Sequence, residues 1–351
     1  MFLPSDHSKT ASTLPRNCSL SENDWEILAG LWHPVAFSGD IGHKPVAAKL
    51  LDVPLVIYRT SSGITVAKDL CVHRGTPLSL GWLKDDMIVC PMHALHYDAE
   101  GRCRLIPSVE DKNRPISERL RLITFQSVER YGIIWVCLLN DEPGIPVPEW
   151  PDLESDRFAA DPDIKKMAID EIWNCSASRH TENFNDAAHL SWVHADSFGN
   201  PEQPEVHEIE VDTSIPYVLK RERQLAEKTL GQERLSHFTA ELTLPFSSAL
   251  VEKVGNGNLG YAIYDAACPM SASETRIFQI IWSGFPDSYP HSHVQLWEQV
   301  NREDIALVSR QSPEEVPLDV REEIHIPADA VSLAYRKAMK ELGLGAPRFV
   351  T

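Results

Sequence analysis

Four residues of the segment CVHRGTPLSLGWLKDDMIVCPMH (71–93) have the chemistry of a metal centre: Cys71-x-His73 and Cys90-x-x-His93, with sixteen residues between the pairs. Structural zinc sites also use four Cys or His ligands around one tetrahedral ion, often as a Cys pair and a His pair. Here each pair is mixed, one thiol and one imidazole. That pairing suits a two-iron cluster, with Cys71 and Cys90 on one iron and His73 and His93 on the other. Two neutral ligands in place of two thiolates make a cluster less negative and easier to reduce, at roughly −150 to +300 mV. Gly75, Gly81, Pro77 and Pro91 supply the tight turns that bring backbone N–H groups up to sulfur. A zinc knuckle remains the alternative. His96 and Cys103, close by, read as strand residues rather than extra ligands.

A second group lies in HTENFNDAAHLSWVH (180–194), where His189 and His194 are five positions apart. On a regular helix that spacing leaves the two rings about 140° from alignment. Both reach one metal only if the helix is distorted locally, for example by loosening at Trp192-Val193. Two imidazoles and one carboxylate on one face of an ion form the facial triad of non-haem Fe(II), which leaves positions open for dioxygen and substrate. From spacing alone, a surface pair or a satisfied core pair of histidines is the commoner reading.

These residues need scaffolds of two kinds. Residues 1–43 read as a polar arm and a short helix opened by Ser21. Residues 44–140 read as short strands broken by turns, with VPLVIYRT and GITVAK flanking Ser61-Ser62-Gly63. Residues 141–155, with Pro143, Pro146, Pro148 and Pro151, form a stiff linker. Residues 156–351 mix strands near 207–224, 236–253, 259–267 and 275–284 with helices at 293–311 and 328–343. The stretch from Glu171 to His194 reads as helical in its second half. The expected fold class is α+β, a β-rich domain followed by an antiparallel sheet with long helices.

With 351 residues the chain can build two cores. A net charge of −18 argues against nucleic-acid binding, which needs clustered Lys and Arg. No apolar run approaches the ~20 residues that span a bilayer. The N-terminal MFLPSDHSKTASTLPRNCSL has no apolar stretch like that of a secretory signal, and the seven cysteines show no disulfide framework. The expected compartment is the cytoplasm. No G-x-G-x-x-G follows a strand, so nicotinamide binding falls to a partner.

The two groups together resemble the oxygenase (alpha) component of the Rieske non-haem iron oxygenases, over nearly the whole chain. C-x-H-x16-C-x-x-H is the Rieske [2Fe–2S] signature. Asn183, Asp186, His189 and His194 fill the family's N-x-x-D-x-x-H-x4-H run. The resemblance implies a helix-grip catalytic domain that holds one mononuclear Fe(II). It implies that Asp186 bridges from His189 to a Rieske histidine of a neighbouring subunit, which requires a ring, expected to be a homotrimer. Asn183 either helps position the iron ligands or caps the helix. The third ligand lies in a family pattern E-D-x6-Q, matched by Glu303-Asp304 and Gln311. Asp304 is the expected ligand, with Glu298 and Glu303 reading as solvated alternatives. One departure stands out: the family has Gly-Trp after the second cluster His, and this chain has Ala94-Leu95.

Members of the family reduce O2 with electrons from NAD(P)H. A separate flavin/[2Fe–2S] reductase delivers them, sometimes through a ferredoxin. The length and the E-D-x6-Q helix resemble the alpha-only subgroup of aromatic hydroxylases and O- or N-demethylases, in which a hydroxylated methyl is lost as formaldehyde. The C-terminal EIHIPADAVSLAYRKAMKELG resembles members that act on nitrogen-rich alkaloids. The substrate is then a small aromatic or heterocyclic compound. Phe238, Leu242, Ile263, Phe278, Ile280 and Trp282 are candidate pocket residues, the last three alternating onto one strand face. Plain core is the competing reading of each. The rival functions are a Rieske electron carrier with a non-catalytic binding domain, and a structural zinc protein.

Overall fold

A computed structural model describes residues 13–139, 144–154, 158, 161–206, 209–229, 232–255 and 257–345. Arm residues 1–12 and linker residues 141–143 and 155 lie outside the described residues. The chain divides into two compact units, 1–147 and 148–351.

The first unit opens with α1 (Glu22–Ala29), whose Asp24 N–H donates to the Ser21 side chain at 3.1 Å. Its Trp25 is fully buried and donates from Nε1 to the Leu51 carbonyl. Strands β1 (His33–Phe37), β2 (Val46–Leu50), β3 (Val53–Thr60) and β4 (Gly63–Lys68) precede a small sheet of β5 (Trp82–Lys84), β6 (Met87–Val89), β7 (His96–Tyr97) and β8 (Cys103–Leu105). The chain then returns through β9 (Thr124–Arg130) and β10 (Ile133–Cys137) to complete an antiparallel sheet ordered β1-β10-β9-β4-β3-β2. The β domain therefore begins ahead of residue 44, because β1 pairs along β10. Between the two sheets lies a core that includes Val56, Tyr58, Ala67, Ile88, Leu95 and Tyr97.

The proline-rich stretch is not a solvated spacer over its described part. Ile145, Val147 and Trp150 are buried, and Pro151 starts the one-turn helix α2 (Pro151–Glu154). Proline suits that first helical position, where no N–H is needed.

The second unit is built on β11 (Lys165–Trp173), followed by α3 (Ala177–Asn185) and α4 (Leu190–Val193). Strands β12 (Val218–Thr229), β13 (Gln232–Thr243), β14 (Ser247–Val254), β15 (Asn258–Ser271) and β16 (Glu274–Ser283) come next, then α5 (Val294–Val308) and α6 (Ala330–Glu341). The strands form one antiparallel sheet, ordered β11-β16-β15-β14-β13-β12. The single strand expected over 236–253 is two, divided by the turn at 244–246. Of 171–194, residues 171–173 end a strand and the helix begins already at Ala177, where Ser176 caps α3 by accepting from Arg179 N–H. Trp297 of α5 packs on Ile169, Ile263 and Ile281, and Phe184 of α3 packs against the same cluster. Those contacts identify the sheet face that the helices cover.

Candidate metal centres

Two turns of the first unit carry the mixed pairs, and they are built alike. Cys71 N–H donates to the Thr76 carbonyl while Gly75 N–H donates back to Cys71 O, both at 2.8 Å. Cys90 N–H donates to Leu95 O at 3.0 Å, and Ala94 N–H to Cys90 O at 2.9 Å. In each turn the closing residue is left-handed, Gly75 at φ 74° and Ala94 at φ 53°. Ala94 thus accepts a conformation that glycine adopts freely. Leu95 is buried in the domain core, in the same cluster as Cys71 and Cys90. His96 ties the second turn, with Nδ1 donating to Ala94 O at 2.8 Å.

The two turns put both thiols inside and both imidazoles outside. Cys71 and Cys90 are each 1% exposed, whereas His73 and His93 are exposed with ring centroids 4.6 Å apart. Burial pushes the Cys90 thiol up, the N–H groups of Met92 and His93 pull it down, and the adjacent Cys71 thiol raises it again. Tyr97 Oη donates to Cys71 Sγ at 3.3 Å. Burial and that thiol hold the phenol far above its ordinary range, so it stays a donor. Two buried sulfurs with N–H and O–H donors, opposed by two outward imidazoles, fit a [2Fe–2S] cluster with one iron on each ligand type.

In the second unit the chain leaves α3 at Asp186 (φ −79°, ψ 132°) and re-enters helix at Leu190. The chain breaks before His189, at 186–188, and α4 ends at Val193, where the loosening is expected. His189 caps the one-turn helix α4, and His194, which leaves helical dihedrals at φ −98° and ψ 23°, follows its last residue, so the two rings flank a single turn. Gly199 lets the chain fold back here: a Cβ would sit 2.4 Å from the Leu190 carbonyl. His189 Nε2 and His194 Nε2 lie 3.5 and 3.4 Å from Asp304 Oδ1. One ligand atom from each of the three falls within 4.8 Å of the others. Asp304 is 8% exposed, and its Oδ1 has no hydrogen-bond partner among the described residues. A buried carboxylate oxygen facing two ring nitrogens is costly unless a cation joins them. The donor set fits a divalent iron.

Each histidine is fixed from behind by a second carboxylate. His189 Nδ1 donates to Asp186 Oδ2 at 3.2 Å, and His194 Nδ1 to Glu303 Oε2 at 2.8 Å. Such bonds hold the Nε2 lone pairs toward the metal position. Burial raises the Asp186 carboxyl, but His189 and the Ala188 and His189 N–H groups bring it below its ordinary value. Glu303 follows the same pattern: burial raises it, and His194, Gln299 and Ser197 together lower it. Glu303 is thus not a solvated alternative to Asp304. It belongs to the candidate site through His194, which spacing did not reveal, and the one sequence signal for it is its place beside Asp304.

The remaining candidates divide between the two faces of the sheet. Asn183 accepts Asp186 N–H with its carbonyl. Its side chain lines a groove of about 550 Å³ with Arg179, Asp186, Glu323 and Arg336. Phe238, Leu242 and Ile263 belong to the helix-covered face, in register with Glu252, Ser248 and Leu250. Phe278, Ile280 and Trp282 alternate as expected but onto the opposite face, since Gln279 and Ile281 are paired with Asp265 and Ile263. There Arg276 lies over Phe278, and Trp282 packs against Phe158 and Lys166. Period-two alternation identifies which residues share a face, not which face meets the helices. The rings that adjoin the triad are others: Phe198 stacks on His194 at 5.0 Å, then comes His291, which lies parallel to Tyr261 at 5.8 Å.

Comparison with known proteins agrees with this architecture. Residues 31–126 match the Rieske [2Fe-2S] domain, and residues 173–344 match the vanillate O-demethylase oxygenase C-terminal domain. Methylxanthine N3-demethylase NdmB of Pseudomonas putida is 30% identical over 338 residues, 92% of each chain. Methylxanthine N1-demethylase NdmA of the same species is 28% identical over 337 residues, again 92% of each. The structure of NdmA with caffeine superposes with a TM-score of 0.79 at 25% identity, covering 91% of this chain and 92% of that one. Dicamba monooxygenase bound to dicamba shares the fold, with a TM-score of 0.74 at 18% identity over 90% and 97%.

Proposed function

The chain belongs to the Rieske non-haem iron oxygenases, and from that premise we propose that it oxidatively removes an N-methyl group from a small, flat heterocycle. As an oxidoreductase of this family it is the oxygenase component of a system whose reductase is a separate protein. One observation carries the reading: Asp304 Oδ1, buried and unpartnered among the described residues, faces the Nε2 atoms of both His189 and His194. A Rieske electron carrier with a passive binding domain has no use for that triad.

Iron(II) held there supplies dioxygen activation, with O2 as co-substrate and electrons drawn from NAD(P)H through the reductase, directly or by way of a ferredoxin. The protein's part is positional. Asp186 and Glu303 keep the Nδ1 protons and aim the rings. Phe198, His291 and Tyr261 offer aromatic faces beside His194, suited to stacking a planar ring with its methyl group toward the triad. The substrate class follows from those faces together with the two methylxanthine demethylases among the relatives.

Asp186 also lines the groove shared with Asn183. We place the exposed His73 and His93 of a neighbouring subunit against it in a homotrimer, so that electrons cross between subunits. The free state of all seven cysteines suits the cytoplasm, and no helix among the described residues is long and apolar enough to cross a membrane. The test is product analysis with NAD(P)H and a surrogate reductase across methoxyarenes, N-methyl heterocycles and aryl acids. Formaldehyde from the N-methyl compounds is expected. Ring hydroxylation of the aryl acids alone would refute the demethylase reading, and absence of a third iron per chain would refute the oxygenase.

A further inference from the structure

Beneath the iron triad six side chains close a buried ring that the chemistry above does not use. His180 Nε2 donates to Asp265 Oδ1 at 2.9 Å, and Gln279 Nε2 donates to Asp265 Oδ2 at 2.9 Å. Asn301 Nδ2 donates both to Gln279 Oε1 at 3.0 Å and to Glu171 Oε2 at 3.1 Å. Trp173 Nε1 reaches the same Glu171 oxygen at 3.4 Å, and its ring meets His180 edge-on at 4.7 Å. Asp265 is 1% exposed, and His180, Gln279, Asn301 and Trp173 are buried as well.

The ring has a fixed polarity. Asn301 gives both hydrogens away, one toward each carboxylate end, so turning Asn301 over sets acceptor against acceptor and turning Gln279 over sets donor against donor. It also spans the elements that matter: α3, which leads into Asp186 and His189, strands β15, β16 and β11, and α5, where Asn301 stands one turn before Asp304. The buried face of α5 consists of Leu296, Trp297, Asn301, Asp304 and Val308. Apolar contacts permit a helix to slide or roll slightly, whereas Asn301 pinned at two points does not.

We propose that His180, Asp265, Gln279, Asn301 and Glu171 are positioning residues for the iron site, setting the separation and roll of the two helices so that Asp304 Oδ1 meets both imidazoles. This inference rests on the reading of His189, His194 and Asp304 as a metal site. The side chains touch neither iron nor substrate.

Polarity gives the test. Asp265→Asn places an amide NH2 before a donor, and Gln279→Glu places two carboxylates together. The two changes combined restore complementarity: the new amide accepts from His180 and donates to the new carboxylate, which still accepts from Asn301. The probe is Co(II), titrated into full-length protein cleared of mononuclear iron with its cluster retained, and followed by the visible Co(II) bands. Each single variant is expected to bind Co(II) about tenfold or more weakly, and the double variant to recover most of that loss. Asn301→Ala serves if a single variant does not fold, with the same loss expected. Wild-type affinity in the single variants or in Asn301→Ala, or a double variant no better than the worse single, overturns the proposal. Wild-type protein that binds no Co(II), or binds it equally after His189→Ala, overturns the metal-site reading and this inference with it.

Discussion

The cluster turns of the first unit and the histidine segment of the second both aim side chains at a metal, but by different means. The turns are closed by their own backbone: Gly75 and Ala94 donate to Cys71 O and Cys90 O, and each Cys N–H donates forward. The segment at 186–194 breaks its helix and relies on side chains, Asp186 behind His189 and Glu303 behind His194. A backbone-closed turn needs only a few adjacent residues of the right type. A side-chain-held site can recruit from anywhere, as Glu303 and Asp304 do from more than a hundred positions downstream.

The largest expected effect separates the two centres. His189→Ala removes one of the three proposed iron ligands, so the mononuclear metal should be lost while the brown cluster stays. Cys71→Ser should do the converse. Iron per chain and visible absorption check both. Loss of the cluster with His189→Ala would show that the centres do not form independently.

That difference also explains what could be read in advance. Cys71, His73, Cys90 and His93 declare themselves because spacing and turn residues are local. Spacing alone shows His189 and His194 as a pair out of helical phase, and the end of α4 at Val193 has no Pro or Gly beside it to mark it. Glu303 was passed over because a carboxylate on an amphipathic helix normally faces water. Asn301 was hidden among the apolar positions of α5, and Asp304 shows through the E-D-x6-Q resemblance and not through the apolar pattern. Buried polar residues escape a pattern built from apolar ones.

Next in size is a contrast within the histidine segment. Glu303→Gln leaves an amide opposite His194 and should weaken metal binding by about 10–100-fold. Asp186→Asn should keep both metals and lose most turnover, because Asp186 also lines the groove assigned to the neighbouring cluster. Iron content and product formation measured side by side resolve the pair. Equal metal loss in both variants would reduce Asp186 to a mere orienter of His189.

A smaller effect belongs to the cluster. Tyr97→Phe removes the O–H bond to Cys71 Sγ without changing the ring. With more electron density left on sulfur, the oxidised cluster is favoured and its reduction potential should fall. A redox titration followed by visible absorption reads this directly. An unchanged potential would mean that backbone N–H groups alone set it.

The smallest effect tests whether the backbone-closed turns are as interchangeable as their hydrogen bonds suggest. Ala94 holds φ 53° where the twin turn has Gly75 at 74°. A left-handed alanine costs roughly 1–2 kcal/mol. Glycine removes that strain but loses about 0.4–1 kcal/mol through the freer unfolded chain. Ala94→Gly should therefore stabilise the first unit by up to about 1.6 kcal/mol and leave metal content alone, read as a raised midpoint for denaturant-induced loss of the cluster. A lowered midpoint would mean that the Ala94 methyl packs usefully where its twin has none. The two turns would then share a hydrogen-bond pattern without sharing an energetic design.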